Sequence, residues 1–292
     1  MIAVGAIGER RRTYAGTGTR ELFVEGDGPT IVLVHGFAHP ADSWRPVLNR
    51  FAEAGQSAVA VDLPGFGAAD PVESGPWLPH GDLFLSEVVA RHSSTAPVVL
   101  IGNSLGAVLT VRAAASPLSL PVAGIVPTGT PGMGWTQLVR AGLICNGRIL
   151  TTITGIGGVP GLVRGYVADQ LVARLLYGDR RALDMEMVRL LTSHVHSRES
   201  ARELLARAAL MKAEVDAAPT VTGVRCPTVI VHGRRDRLVA LASSERLHVA
   251  IAHSKLVVLD AAGHCPHLDA PQDIVDIGRG LAANPRGQST PA

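Results

Sequence analysis

Cysteine is scarce in this chain of 292 residues. Only Cys145, Cys226 and Cys265 are present, odd in number and widely spaced. They form no CxxC pair, so the sequence implies neither a metal site nor a disulfide framework, and it favours a reducing compartment. Lysine is scarcer still, with Lys212 and Lys255 alone, a bias that reads as genome composition. An excess of charge is also missing. Lys and Arg total 27 against 25 Asp and Glu, a net charge of +2. No strong field therefore draws the chain to nucleic acid or anionic lipid. The longest charge-free stretch of the middle region, Ile149 to Val163, is 15 residues and carries five Gly or Pro. It is too short and too broken to span a bilayer. In "MIAVGAIGERRR" the positive charges follow the apolar stretch, the reverse of a signal peptide. A soluble, cytoplasmic protein is expected.

What is present is apolar substance: 47% of residues are hydrophobic, ample for one large core. Short runs rich in Val and Ile recur at 30–36, 57–65, 97–102, 122–129, 227–233 and 255–260. Runs apolar on both faces are the pattern of parallel strands covered on both sides. Between them lie helix-length segments at 43–54, 80–91, 104–115, 241–250 and 271–282. This alternation predicts an α/β fold, a doubly wound and mostly parallel sheet. "RELFVEG" at 20–26 reads as an additional antiparallel hairpin strand. From about 131 to 220 the strands stop and helical periodicity takes over, as in Leu162, Val163, Tyr166, Val167, Leu171, Val172, Leu175 and Leu176. Ser200 and Glu203 have the spacing of a capping box. The expected organisation is a core of residues 1–130 and 221–283, a helical lid inserted at 131–220, and a disordered tail at 284–292.

Within "VLIGNSLGAVLT" the serine stands between Gly102 and Gly106, after a strand and before a helix. A sharp strand-to-helix turn there needs glycine on each flank, where a Cβ would collide with neighbouring backbone. Ser104 is then exposed at the helix N-terminus, where negative charge is favoured. The ordinary reading is a serine capping a βα turn. A serine also needs a base, and the base an orienting acid.

The last strand runs into "LDAAGHCPHLDAP", which places His264 at the sheet's C-terminal edge. His267 competes, but lies at the start of a helix. For the acid, Asp236 follows the strand ending at Gly233, while Asp260 is still in strand geometry with poor reach. A tetrahedral intermediate needs two preset donors. The backbone N–H of Leu105 and that of Phe37, in the "VHGFAHP" loop, are the candidates. His35 in that loop reads as a structural hydrogen-bonding residue, and the sequence does not decide whether His39 faces pocket or solvent.

Taken together, "HGF" at 35–37, "DLPGFG" at 62–67, "GNSLG" at 102–106, "GRRD" at 233–236 and "AGH" at 262–264 resemble the α/β-hydrolase superfamily. The resemblance covers residues 20–283 and is closest to its lidded esterases, C–C bond hydrolases and cofactor-free perhydrolases. It implies Ser104 as nucleophile, Asp236 as acid, His264 as base and the Phe37 and Leu105 amides as the oxyanion hole. It implies no metal and no organic cofactor. Asp62 and "PGFG" resemble the family's structural turn. Epoxide hydrolases and dehalogenases carry aspartate as nucleophile, which Ser104 argues against. The C–C hydrolases show a second glycine where this chain has Ala107 and a small residue where it has Phe37.

Between Gly132 and Leu162 only Arg140 and Arg148 are charged, and Gly132, Gly134, Gly155, Gly157 and Gly158 permit hinge motion. An apolar lid favours a small hydrophobic acyl substrate, with Met133, Trp135 and Leu138 as pocket candidates. Arg140 or Arg148 could hold a substrate carboxylate, although a solvated arginine is the simpler reading. His194 and His196 read as lid surface. The expected activity is hydrolysis of an apolar carboxylic ester, thioester or lactone through an acyl-enzyme. C–C bond cleavage, perhydrolysis and a non-enzymatic ligand receptor are the alternatives. Oligomeric state is not fixed by the sequence.

Overall fold

A computed structural model describes residues 6–72, 75–144, 161–193, 197–218 and 223–284. Successive residues of the strand Asp27–Val34 (β3) explain the architecture. Val32 and Val34 enter one apolar cluster while Ile31 and Leu33 enter another. The strands Gln56–Val61 (β4) and Val98–Asn103 (β5) alternate in the same way, Val59 and Leu100 on one side, Ala60 and Ile101 on the other. With side chains pointing to opposite faces at period two, an uninterrupted apolar run requires cover on both faces.

That cover is helical. Trp77–His92 (α2) and Leu105–Ala114 (α3) contribute Phe84, Leu85, Val88, Val108 and Leu109 to the first cluster. Arg45–Glu53 (α1) and the C-terminal helix Pro271–Ala283 contribute Val47, Leu48, Phe51, Ile274 and Val275 to the second. Phe51 is fully buried, and its truncation to alanine would cost about 3–5 kcal/mol.

The sheet has eight strands in the order β1-β2-β4-β3-β5-β6-β7-β8, completed by Gly8–Tyr14 (β1), Thr17–Val24 (β2), Val122–Thr128 (β6), Val229–Gly233 (β7) and Lys255–Leu259 (β8). β1 and β2 pair antiparallel, and β2 joins β4 antiparallel. The pairings among β3 to β8 are parallel. The expected hairpin strand at 20–26 is thus β2, beginning three residues earlier. Its partner β1 was not expected from the sequence.

Between β6 and β7 lie four described helices: Gln137–Ile144 (α4), Gly161–Leu176 (α5), Met185–Thr192 (α6) and Arg198–Ala217 (α7). Asp184 caps α6 by accepting the Glu186 and Met187 N–H groups at 2.8 and 3.2 Å. The capping box of α7 joins Ser197 and Ser200, each hydroxyl accepting the other's backbone N–H at 3.0 Å. The Ser200/Glu203 box expected from spacing is therefore one turn too late. α7 also reaches the core, where Glu214 accepts the Trp77 and Leu78 N–H groups at the start of α2. These are orphan donors of a helix terminus.

No helix among the described residues is long and apolar enough to cross a membrane. Arg148, Gly155, Gly157, Gly158, His194, His196 and the tail beyond Asn284 lie outside the described residues. The last elements, in chain order, are Leu241–Ala250 (α8), Pro266–Asp269 (α9) and the C-terminal helix (α10).

Candidate active site

Ser104 lies between the end of β5 and the start of α3, with φ +52° and ψ −113°. A non-glycine residue in that region is strained, at a cost on the order of 1–3 kcal/mol, and such strain concentrates at functional positions. The surroundings enforce it. A Cβ on Gly102 would strike the Gly106 carbonyl, and one on Gly106 the Val34 carbonyl, both well inside van der Waals contact. Only glycine on each flank lets strand and helix close this tightly around the turn. The Ser104 N–H donates to the Thr128 carbonyl at 2.9 Å, tying the turn to the end of β6. The serine remains partly exposed, while Asn103 and Leu105 beside it are buried.

The structure joins Asp236 and His264. Nδ1 of His264 lies 2.8 Å from Oδ2 of Asp236, whose side chain is 1% exposed. Oδ1 of Asp236 accepts the Leu238 and Val239 N–H groups at 2.8 and 2.9 Å, so the loop after β7 holds the carboxylate by one oxygen and leaves the other to His264. Burial works against this charge. The charge and hydrogen bond of His264 outweigh it, helped by His232 and the Val239 amide, and hold the carboxyl below the ordinary carboxylate range. An ionised acceptor at Nδ1 fixes the proton there and leaves the lone pair on Nε2.

One side chain connects this pair to the turn. Asn103 Nδ2 donates to the His264 carbonyl at 2.9 Å and to Thr128 Oγ1 at 3.1 Å. The loop after β3 completes the neighbourhood, because a Cβ on Gly36 would lie 3.3 Å from Ser104 Cβ. Phe37 follows, its ring edge-on to Phe66 at 5.4 Å, and Ala38 turns the chain at φ +59°. His35 is fully buried and holds this loop: Nε2 accepts the Leu63 N–H at 2.8 Å and Nδ1 donates to the Gly36 carbonyl at 2.8 Å. Leu105 opens α3, so its N–H is one of the first-turn donors that have no partner within the helix. Asp62 is a hub beneath the loop, accepting from Ala41 N, Ala68 N and Arg20 Nε.

The competing candidates lie elsewhere. Asp260 falls just past β8 and pairs with Arg234 at 2.5 Å, on a side chain 80% exposed. His267 is fully buried and stacked on Trp44, ring centroids 4.2 Å apart. Burial, reinforced by the nearby His264 and His35 charges, pushes its pKa down to about 3. His39 is buried rather than solvent-facing. Met133 packs partly buried against the first cluster, its N–H on Ser243 Oγ. Trp135 fastens the insertion, donating Nε1–H to Asp216 of α7 at 2.8 Å and pairing its backbone with Val239. Leu138 is 55% exposed, and Arg140 is exposed as well.

Three residues of this region carry no role in the sequence reading. Asn103 is one. Asp269 is another: Oδ2 accepts Gly263 N–H at 2.7 Å and Gly178 N–H at 2.9 Å, and Oδ1 accepts Asp179 N–H at 3.1 Å. It staples the turn after α5 to the residue before His264. The third is His232, 1% exposed, whose Nδ1 lies 2.8 Å from Ser244 Oγ and whose Nε2 lies 3.8 Å from Asp236 Oδ2. Nothing in their local spacing marks the Asp269 and His232 contacts. They exist only because distant strands converge at one sheet edge.

Comparison with known proteins places the fold and the family. The pimeloyl-[acyl-carrier protein] methyl ester esterase of Xylella fastidiosa (strain 9a5c) is 27% identical over 256 residues, 84% of this chain and 91% of that protein. The 2-hydroxy-6-oxo-6-phenylhexa-2,4-dienoate hydrolase of Rhodococcus sp. strain RHA1 superposes with a TM-score of 0.73 at 22% identity, covering 94% of this chain and 98% of the other. A thermophilic esterase of Thermogutta terrifontis superposes at 0.69 with 20% identity, over 95% and 99% of the two chains. These two likenesses concern the fold. A family model described as "Alpha/beta hydrolase family" matches residues 31–277, and the chain belongs to that family.

Proposed function

We propose that this protein is a serine hydrolase that cleaves an apolar carboxylic ester through an acyl-enzyme. The observation that carries the reading is the buried Asp236–His264 pair, tied through the Asn103 side chain to the turn that holds a strained Ser104. In this reading His264 Nε2 takes the Ser104 proton as Oγ attacks the ester carbonyl. The Phe37 and Leu105 amides stabilise the oxyanion. His264 then returns the proton to the leaving alcohol, and afterwards activates water to release the acid. Asp236 keeps the imidazole in the required tautomer and stabilises its protonated form.

The relative's printed name, a methyl ester esterase, supports an ester over a carbon–carbon bond as the scissile group. The helices at 131–220 act as the lid, with Met133 and Trp135 at its root beside the acid loop. Leu138 is the weakest pocket candidate, since its side chain faces solvent. The substrate is a small hydrophobic acyl compound, with no role for nucleic acid, and the protein works in the cytoplasm.

The test is a panel of acyl esters of increasing chain length, assayed with wild type and Ser104→Ala. The wild type should turn over apolar esters of the panel, and kcat should fall by about 10⁴–10⁶ in the variant. A wild type inactive on every ester but active on a dienoate-type diketone, or only with peroxide, would overturn the ester reading.

A further inference from the structure

His39, Cys265 and His267 come from two loops far apart in sequence, yet their ligand atoms all lie within 4.8 Å of one another. All three residues are buried, at 7%, 0% and 0% exposure. His39 belongs to the loop after β3, while Cys265 is the N-cap of α9, directly after His264, and His267 lies in that helix's first turn.

The cluster calls for an occupant. Neither ring nitrogen of His267 has a hydrogen-bond partner among the described residues, although both are fully buried. A neutral imidazole in that state leaves one donor and one acceptor unmet, which costs stability in a buried site. A sulfur and two imidazoles are the donor set of a borderline or soft cation such as Zn²⁺. Bonds of about 2.0–2.3 Å to such an ion place tetrahedral donors roughly 3.3–3.6 Å apart. The donors, within 4.8 Å of one another, must draw together to reach that. An oxygen donor is also near, since Asn103 Oδ1 lies 3.7 Å from Cys265 Sγ.

We propose that His39, Cys265 and His267 form a binding site for one Zn²⁺-class ion. The ion clamps the loop carrying Phe37 to the loop carrying His264. Cys265 binds as thiolate and its proton leaves to solvent. The two histidines bind as neutral imidazoles. No step of the hydrolytic reaction passes through the ion, and the site stands independently of the ester reading. Entry requires local opening, because none of the three side chains faces solvent, so loading is slow. The competing occupant is a buried water, which would meet the same nitrogens with no affinity for metal.

The experiment strips the purified full chain with chelator and titrates it with Zn²⁺, and with Co²⁺ as a spectroscopic probe. The expected result is one ion per chain, a thiolate-to-cobalt charge-transfer band and a higher melting temperature with Zn²⁺. Cys265→Ser should abolish the band, and His39→Gln should weaken affinity by at least about 100-fold, more than the loss of an outer hydrogen-bond partner costs. X-ray absorption on the wild-type zinc form should show one sulfur and at least two imidazole nitrogens, which keeps the proposal testable if either variant fails to fold. No stoichiometric binding by the wild type, a sulfur-free ion, or a band that survives in Cys265→Ser would overturn it.

Discussion

Nδ1 of His264 lies 2.8 Å from the Asp236 carboxylate, and that carboxylate is held from behind by two backbone amides of its own loop. The acid is therefore preset, and the histidine docks onto a fixed acceptor. Asp236→Asn keeps the shape but presents an amide N–H or a weaker acceptor to Nδ1, which favours the wrong tautomer. On the proposed mechanism kcat should fall by about 10⁴ with KM little changed. Steady-state kinetics on the best ester of the panel reads this directly. A loss below tenfold would mean that the tautomer is set by something else.

Asn103 offers a milder test of the same assembly. Its side-chain amide is the direct bridge between the Ser104 turn and the His264 backbone. Asn103→Ala leaves the buried His264 carbonyl and Thr128 hydroxyl short of a donor. Stability should drop by about 1–3 kcal/mol in urea unfolding, and kcat should fall while KM holds. Unchanged kcat in a folded variant would show that the serine and histidine loops keep their spacing without the bridge.

Asp269 makes a prediction about coupling. It gathers three backbone N–H groups, two from the turn after α5 and one from Gly263. Asp269→Ala releases both loops at once, where Asp269→Asn retains one acceptor oxygen. The alanine variant should lose about 1–3 kcal/mol and gain hydrogen exchange at 176–179 and 262–264 together. The asparagine variant should fall between it and wild type. Exchange rising at only one of the two segments would contradict the staple.

A fourth expectation concerns acid. Glu21 is fully buried on β2, and burial alone would raise its pKa. Hydrogen bonds from His92 and Tyr14, with Arg10 on the second oxygen, outweigh burial and bring it from 4.5 down to about 2. A carboxyl lowered on folding contributes stability above its unfolded pKa and loses it as pH falls through the folded one. Unfolding free energy should thus decline between pH about 4.5 and about 2. In Glu21→Gln that decline should be shallower and overall stability lower. Equal slopes in urea titrations across this range would refute the assignment.

The central sheet was readable because strands buried on both faces announce themselves as uninterrupted Val and Ile runs. α8, Leu241–Ala250, coincides with the expected helix. β1 was illegible because it is an edge strand with charged residues facing out. Its sequence, GERRRTY, lacks the apolar run, and its pairing is supported by ion pairs such as Arg10–Glu21. α2 starts at Trp77 rather than His80 because its cap is Glu214, supplied from α7 far along the chain. The same limit applies at the site. Glycines around Ser104 are a local signal, since the turn itself demands them. The Asp269 staple and the His39, Cys265 and His267 cluster are contacts between loops that only the sheet's closure brings together.

The most direct test of the account is to ask whether Ser104 is an activated nucleophile. Purified protein is treated with a fluorophosphonate probe and its adducts are mapped by mass spectrometry, alongside ester turnover. The account predicts a single stoichiometric adduct on Ser104, loss of turnover in step with labelling, and no adduct on Ser104→Ala. Labelling at another serine, or Ser104→Ala hydrolysing esters at the wild-type rate, would contradict it.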